Sequence, residues 1–299
     1  MLYLEKETII SWAMHVIFGT LILVFAIFCS IKIVQIQGKQ KKILKKTEKM
    51  LDKTEKVLKK HKQLVIKMSM KDDIFIKDKV KFYVPNYAVE KIQTKIVDKN
   101  KFYKQKKLQE LDEFIPNNAL ILDVGANIGN ETLYWLLQSP KKVRFVYSFE
   151  ALEMPYNILK RNIEINGLQS KVAPLNFALG NKDTRARIEK FKMKNYAKTK
   201  LVEDANGAYK IKRIDDLRLK QKVNVIKISM SGMEFEALDG AENLIDRDRP
   251  VVFVKMEEAS KAKVDDLMKD FEYKLAKQVG KKYYVYTPEA KVVEINNPA

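Results

Sequence analysis

The chain has 299 residues, with 57 Lys and Arg against 38 Asp and Glu, a formal net charge of +19. That length suits one α/β domain of ordinary size plus an added segment, and a single cysteine, Cys29, excludes an intrachain disulfide framework. The charge excess points to a nucleic acid, an anionic membrane surface or an acidic protein partner. Its placement narrows the choice: twelve Lys stand between Gln35 and Met70 against Glu48, Asp52 and Glu55, a local net of +9. Lysine far outnumbers arginine, which is the better bidentate reader of bases and phosphates. Sequence-specific nucleic-acid binding is therefore not expected.

Residues 9–31 contain no Asp, Glu, Lys or Arg. As a helix they would extend about 34 Å, enough to cross a bilayer with some tilt. A cleaved signal peptide needs a basic start, a shorter apolar core and small residues at the cut. Here Glu5, Lys6 and Glu7 precede a long core, and Phe28 stands before Cys29. A membrane anchor is the expectation. Lys32, Lys39, Lys41, Lys42, Lys45 and Lys46 follow it, which places the bulk of the chain on the cytoplasmic side, or the matrix side of an organelle. A mitochondrial inner membrane is a candidate location, although no Arg-rich transit peptide supports it.

A short repeat follows, ILKKTEK, MLDKTEK and VLKKHKQ over residues 43–63. Apolar pairs recur every seven residues, with Thr47, Thr54 and His61 at the intervening seam positions. This predicts a basic stalk helix with a narrow apolar stripe. Its polar seam disfavours a homodimeric coil, so residues 39–67 are expected to meet protein partners or anionic headgroups, or to serve as a solvated spacer. His61 is read as a seam or surface residue, because no Cys or second His stands at ligand spacing, and no metal site is expected.

Residues 72–90 alternate apolar and polar side chains up to Pro85, predicting a hairpin or edge strand. Residues 101–114 read as a helix. The apolar run 119–124 then opens a strand–helix alternation: strands at 143–149, 172–177, 223–228 and 251–254, helices at 131–138, 155–166, 233–245 and 263–271. A strand pair or excursion is expected at 188–191 and 209–214, and a terminal hairpin at 273–279 and 283–286. The pattern implies an α/β fold with a mostly parallel sheet covered on both faces.

Within it, ILDVGANIGN (121–130) is a strand, a glycine loop and a helix start, where such folds bind a nucleoside-bearing ligand. Gly125 permits a sharp turn, and Gly129 is expected to let the ligand approach the helix. The spacing is G-x-x-x-G after an Asp, not the G-x-G-x-x-G of dinucleotide folds. Glu150 closes the next strand and can accept hydrogen bonds from both hydroxyls of a ribose.

Several blocks together resemble the FkbM-type methyltransferases, S-adenosylmethionine-dependent enzymes with the class I methyltransferase (Rossmann-like) fold. They are ILDVGANIGNETL (121–133), FEALEMPYNILKRNIEINGL (149–168), FALGN (177–181), IDDL (214–217), VIKISMSGMEFEALDGAENLI (225–245) and RPVVFV (249–254). The resemblance covers about residues 81–286, leaving out the anchor and stalk. It implies that Asp123, Gly125, Ala126, Asn127 and Gly129 surround the methionine part of the cofactor, that Glu150 holds the ribose, and that Phe177 and Ala178 lie beside the adenine. A bracing role for Asp123 and a purely steric one for Ala126 are the alternatives. The implied organisation is an anchor (1–34), a stalk (35–70), a strand-and-helix lead-in (71–118) and a methyltransferase-like domain with a C-terminal antiparallel hairpin (119–299).

The chain departs from the family where K-I-D-V-E-G-x-E is usual. It reads Lys227, Ile228, Ser229, Met230, Ser231, Gly232, Met233, Glu234. Lys255 stands where the family strand usually ends in Glu, and Lys104 stands near another family acid. The donor methyl sits on a cationic sulfonium, whose charge a carboxylate would offset while also serving as base toward a hydroxyl. A lysine within about 4 Å would add repulsion of about 4 kcal/mol at an effective dielectric of 20. Glu234 is retained. The expectation is a membrane-anchored FkbM-like protein, impaired in catalysis and serving as an accessory subunit of a membrane assembly. The alternative is an active O- or N-methyltransferase at a membrane surface.

Overall fold

The computed structural model describes residues 12–25 and 40–289, in two units divided after Lys71. In the first unit, residues 12–25 form a helix, α1. Trp12, Phe18, Leu21, Ile22, Leu23 and Phe25 are all more than half exposed on it. The Thr20 hydroxyl donates back to the carbonyls of Val16 and Ile17 at 2.8 and 3.0 Å, so the helix presents little unsatisfied polarity. Among the described residues no helix is long and apolar enough to cross a membrane. The transmembrane helix expected over 9–31 is thus not seen as such: its two ends, with Cys29 and Lys32, lie outside the described residues. The stalk is a 30-residue helix, α2 (Gln40–Ser69). Leu44, Met50, Leu51, Val57, Leu64 and Val65 are exposed along its stripe, and the Thr54 hydroxyl folds back onto the Met50 carbonyl.

The second unit opens with a hairpin, β1 (Ile74–Lys77) and β2 (Val80–Tyr83). Next comes a helix that the alternation of residues did not predict, α3 (Lys91–Lys99). The Glu90 carboxylate caps it by accepting the N–H groups of Ile92 and Gln93 at 2.9 and 3.0 Å. Ile92, Ile96 and Val97 form its buried face. The helix expected over 101–114 is shorter, α4 (Gln105–Asp112). Its first turn is lost because Phe102 turns into the core, edge-on to Phe82 and Tyr134, and Lys104 adopts a left-handed conformation.

The central sheet has seven strands. In chain order they are β3 (Ala119–Val124), β4 (Val143–Phe149), β5 (Val172–Leu175), β10 (Val225–Ile228), β11 (Val251–Lys255), β12 (Tyr273–Val279) and β13 (Tyr283–Pro288). Across the sheet the order is β12-β13-β11-β10-β3-β4-β5, parallel except for β13, which pairs antiparallel with both neighbours. The mostly parallel fold and the terminal hairpin are as expected. Strand β3 is buried along its whole length, as a central parallel strand must be. The chain runs outward from β3 to β5, then returns to β10 on the other side of β3. This places the switch point between the carboxyl ends of β3 and β10.

The connecting helices are α5 (Asn130–Gln138), α6 (Glu153–Ile165), α7 (Glu234–Asp239), α8 (Glu242–Asp248) and α9 (Glu258–Asp270). The single helix expected over 233–245 is two, because the chain breaks at Gly240. A Cβ there would fall 2.0 Å from the Gly180 carbonyl oxygen, and the Asp215 carboxylate caps the second piece through the N–H groups of Asn243 and Leu244. The expected excursion is a four-stranded sheet ordered β6-β9-β7-β8, made of β6 (Ala178–Leu179), β7 (Thr184–Lys190), β8 (Lys200–Glu203) and β9 (Tyr209–Lys212).

The lead-in is bound into this unit by two asparagines of α6 and its C-terminus. Asn166 exchanges hydrogen bonds with the Lys81 backbone. Asn162, fully buried, accepts from the Tyr83 N–H at 2.6 Å and donates to the Ile128 carbonyl at 2.8 Å. It thereby joins the hairpin to the glycine loop. Replacing Asn162 by Leu orphans two backbone groups and is expected to cost about 3 kcal/mol, read as a lower denaturation midpoint in urea.

Candidate functional site

The parallel register of β3 and β10 sets Asp123 beside Lys227 and Val124 beside Ile228, and the Ser229 N–H continues the ladder onto the Val124 carbonyl. Lys227, wholly buried, places its ammonium 2.7 Å from Asp123 Oδ1, 2.7 Å from Glu131 Oε2 and 3.1 Å from the Gly125 carbonyl. Asp123 also accepts from Thr132 Oγ1 at 2.6 Å, which lies 2.9 Å from Ser148 Oγ. Glu131 accepts from the Tyr283 hydroxyl at 3.0 Å. Burial works against the Lys227 charge, but Asp123 and Glu131 outweigh it and hold the lysine protonated above its ordinary value. Burial likewise pushes the Asp123 carboxyl up, partly offset by Lys227. Glu131 stays below its ordinary value because Lys227 overcomes its burial.

Beyond this buried cluster opens a cleft of about 610 Å³, partly open to solvent. It is lined by Gly125 and Asn127 of the glycine loop, Phe149 and Glu150 at the end of β4, and Phe177, Ala178 and Leu179 around β6. Tyr196, Ala197, Thr199 and Leu201 line it from the stretch leading into β8, and Ser229, Met230, Ser231 and Met233 from the segment after β10. Glu150 Oε2 accepts the Asn127 N–H and Oε1 the Leu152 N–H, both at 2.9 Å, and each oxygen keeps lone pairs for a ligand donor. Burial pushes its carboxyl up to about 7. A ligand with a vicinal diol next to a flat apolar ring matches this donor and surface pattern.

Of the expected cofactor residues, Gly125, Asn127, Glu150 and Ala178 line the cleft, whereas Asp123, Ala126 and Gly129 do not. The Asp123 carboxylate is engaged by Lys227 and Thr132. Gly129 has φ +84, and a Cβ there would sit 2.7 Å from Leu159 Cδ1. The glycine leaves room for Leu159 of α6. At Gly125, with φ +76, a Cβ would lie 2.4 Å from the Ser229 carbonyl, so this glycine lets β3 and β10 end side by side. No pattern in the sequence marked Tyr196, Thr199, Leu201, Met230 or Met233 as lining, or Glu131, Thr132 and Tyr283 as partners in the buried cluster. Only the cation in the apolar run Val225-Ile226-Lys227-Ile228 hinted at the buried cluster.

Ser229, Ser231 and Lys255 gather at one point. Ser229 and Ser231 line the cleft, and Lys255 Nζ donates to Ser229 Oγ at 3.2 Å. Burial lowers the Lys255 pKa, opposed in part by Glu131. Burial also raises the Glu234 carboxyl to about 7, although it accepts the Gly232 N–H at 3.1 Å. Lys104 is brought here too: burial first, and repulsion from Lys255 second, lower its pKa to about 8. Lys227→Met would leave Asp123 and Glu131 buried without their cation. The expected loss is about 3–5 kcal/mol of stability, measurable by chemical denaturation.

The methyltransferase FkbM domain family matches residues 123–275. The fungal protein described as methyltransferase sdnD, from Sordaria araneosa, is 25% identical over 191 residues, covering 52% of this chain and 72% of its own. The crystal structure of a methyltransferase FkbM from Methylobacillus flagellatus overlaps at a TM-score of 0.42 with 14% identity, over 67% of this chain and 56% of that one. The TYW2 protein of M. jannaschii, solved with AdoMet, overlaps at a TM-score of 0.40 with 16% identity, over 71% and 82%. This chain therefore spans little more than half the length of the Methylobacillus protein. With its matched segment running from the end of β3 into β12, the chain belongs to the FkbM methyltransferase domain family.

Proposed function

We propose that this protein binds S-adenosylmethionine in the cleft between β3 and β10 and is ineffective toward neutral hydroxyl acceptors. The observation that carries the first half is Glu150, buried in the cleft lining with both oxygens oriented by backbone N–H groups. Glu150 would hold the ribose diol, Phe177 and Ala178 would flank the adenine, and Gly125 and Asn127 would border the methionine part. When bound, the cofactor supplies an electrophilic methyl on a sulfonium.

The second half rests on Ser229, Ser231 and Lys255. A hydroxyl acceptor must lose its proton as the methyl arrives. Serine is a poor base, and Lys255 directs a donor into the position where a base is needed. This favours a role as a cofactor-binding accessory subunit over ordinary hydroxyl methylation. We further propose that residues 9–31 anchor the protein in a membrane, with α2 as a basic spacer against anionic headgroups or a protein partner. The exposed apolar surface of α1 and the lysines of the stalk support this arrangement. Resistance to alkaline extraction from membranes, lost when residues 1–31 are removed, is the expected result. Release of the intact chain by alkali overturns the anchor.

Calorimetry on the full-length protein in detergent tests cofactor binding. Hydroxyl donors from the ribose favour the ionised Glu150, whose carboxyl sits at about 7. Between its ordinary value and about 7 the unliganded fold holds an extra proton there, so ionisation opposes folding as pH rises through that window. Ligand affinity runs the other way. It is expected to rise about tenfold between about pH 6 and about pH 8, and Glu150→Gln should flatten that dependence. Absence of both binding heat and thermal stabilisation sinks the cofactor reading.

A further inference from the structure

We propose that Lys104 and Lys255 seat an anionic methyl acceptor, a small carboxylate, and that the protein makes methyl esters instead of methyl ethers. This rests on the cofactor reading above and names the acceptor class for the same site. Both lysines are half-buried, and Tyr283 brings them together: it is the cross-strand partner of Lys255, and Lys104 Nζ lies against its ring. Among the described residues neither has a carboxylate within 4.0 Å, although most other partly buried cations in this unit do. Lys104 Nζ lies instead 5.2 Å from the Tyr103 ring centre and 5.3 Å from that of Tyr283, and Lys255 reaches only the Ser229 hydroxyl. Holding two cations together in a partly dehydrated place is unfavourable without an anion to share.

The neighbouring carboxylates act on these lysines from beyond pairing distance: Glu131 on both, and Glu234 and Glu257 on Lys255. Glu131 is already engaged by Lys227 and Tyr283, and Glu257 by Lys282. Lys107 Nζ, 4.9 Å from the Tyr283 ring centre, adds a further cation. The start of α4, directly after Lys104, has no side-chain cap, and the helix dipole adds positive potential there. Ser229 stands between Lys255 and the cleft, so an anion held by Lys255 lies next to where a methyl donor would sit.

A carboxylate acceptor also resolves the missing base. It is already ionised, so no proton has to leave. One carboxylate oxygen forms a bond to the methyl carbon, the carbon–sulfur bond breaks, and its electron pair stays on sulfur as a neutral thioether. The negative acceptor and the positive sulfonium cancel, and nothing further is consumed. Ser229, Ser231 and Lys255 are unsuited to a hydroxyl, but together they suit this acceptor.

The test uses full-length protein in detergent, labelled with a trace of an amine-acetylating reagent and read lysine by lysine by mass spectrometry. The probes are benzoate, hexanoate and inorganic phosphate. Either carboxylate is expected to slow labelling of Lys104 and Lys255 about tenfold, as one unit of raised pKa would, with the exposed Lys210 and Lys274 unchanged. Lys255→Met should abolish protection of Lys104, and Lys255→Arg should keep it. Incubation with S-adenosylmethionine should convert the protective carboxylate to an alkali-labile methyl ester. No protection, or protection by phosphate alone, overturns the carboxylate seat, and protection without ester overturns the reaction. Thermal stabilisation by S-adenosylmethionine alone is read separately. If it is present while protection is absent, the cofactor reading stands and this inference falls. If protection occurs without it, the anion seat stands and the cofactor reading falls.

Discussion

The buried ammonium of Lys227 is the constraint around which the site is built. It sits where β3 and β10 run side by side and contacts Asp123 of the first strand, Glu131 of the following helix and the carbonyl of the glycine loop between them. Tyr283 extends the link to β13 through Glu131. A charge so deep is tolerated only because every hydrogen of the ammonium has an acceptor. The geometry of the loop follows from that requirement: Gly125 must present its carbonyl inward to Lys227, which turns the next residues toward the cleft.

A consequence is a division of labour among acidic residues that resemble one another in the sequence. Asp123 and Glu131 neutralise an internal cation and are not among the residues lining the cleft. Glu150 has only backbone partners and is the carboxylate available to the cleft. Lys255 lies just beyond the internal cluster, with its charge opposed but not paired. The carboxylates near the switch point are thus divided between an internal cation and the cleft.

Much of the fold was legible because its strands are short apolar runs bounded by Gly, Pro and Asn. The ranges 119–124 and 143–149 coincide with β3 and β4. Boundaries slipped where a tertiary contact overruled the local pattern, as at Gly240 against Gly180 and Phe102 against Phe82. Of the site, the glycine loop and Glu150 were visible through spacing. The lining by Tyr196 and Thr199 was not, because they lie in an irregular stretch whose position depends on the pairing of β7, β8 and β9. The packing of Gly129 against Leu159 was hidden for a similar reason: the two are thirty positions apart in sequence and adjacent in space.

Leu201 lines the cleft from β8 of the small sheet, and Ala178 and Leu179 line it from β6 of the same sheet, while Val124 and Phe149 come from strands of the large one. β8, which carries Leu201, pairs only with β7 at the edge of the small sheet. Such an edge opens at a fraction of the free energy of global unfolding. The lifetime of a molecule enclosed in the cleft is then governed by fraying of one short strand. How long a ligand stays and how stable the protein is become separate properties, each adjustable without altering the other.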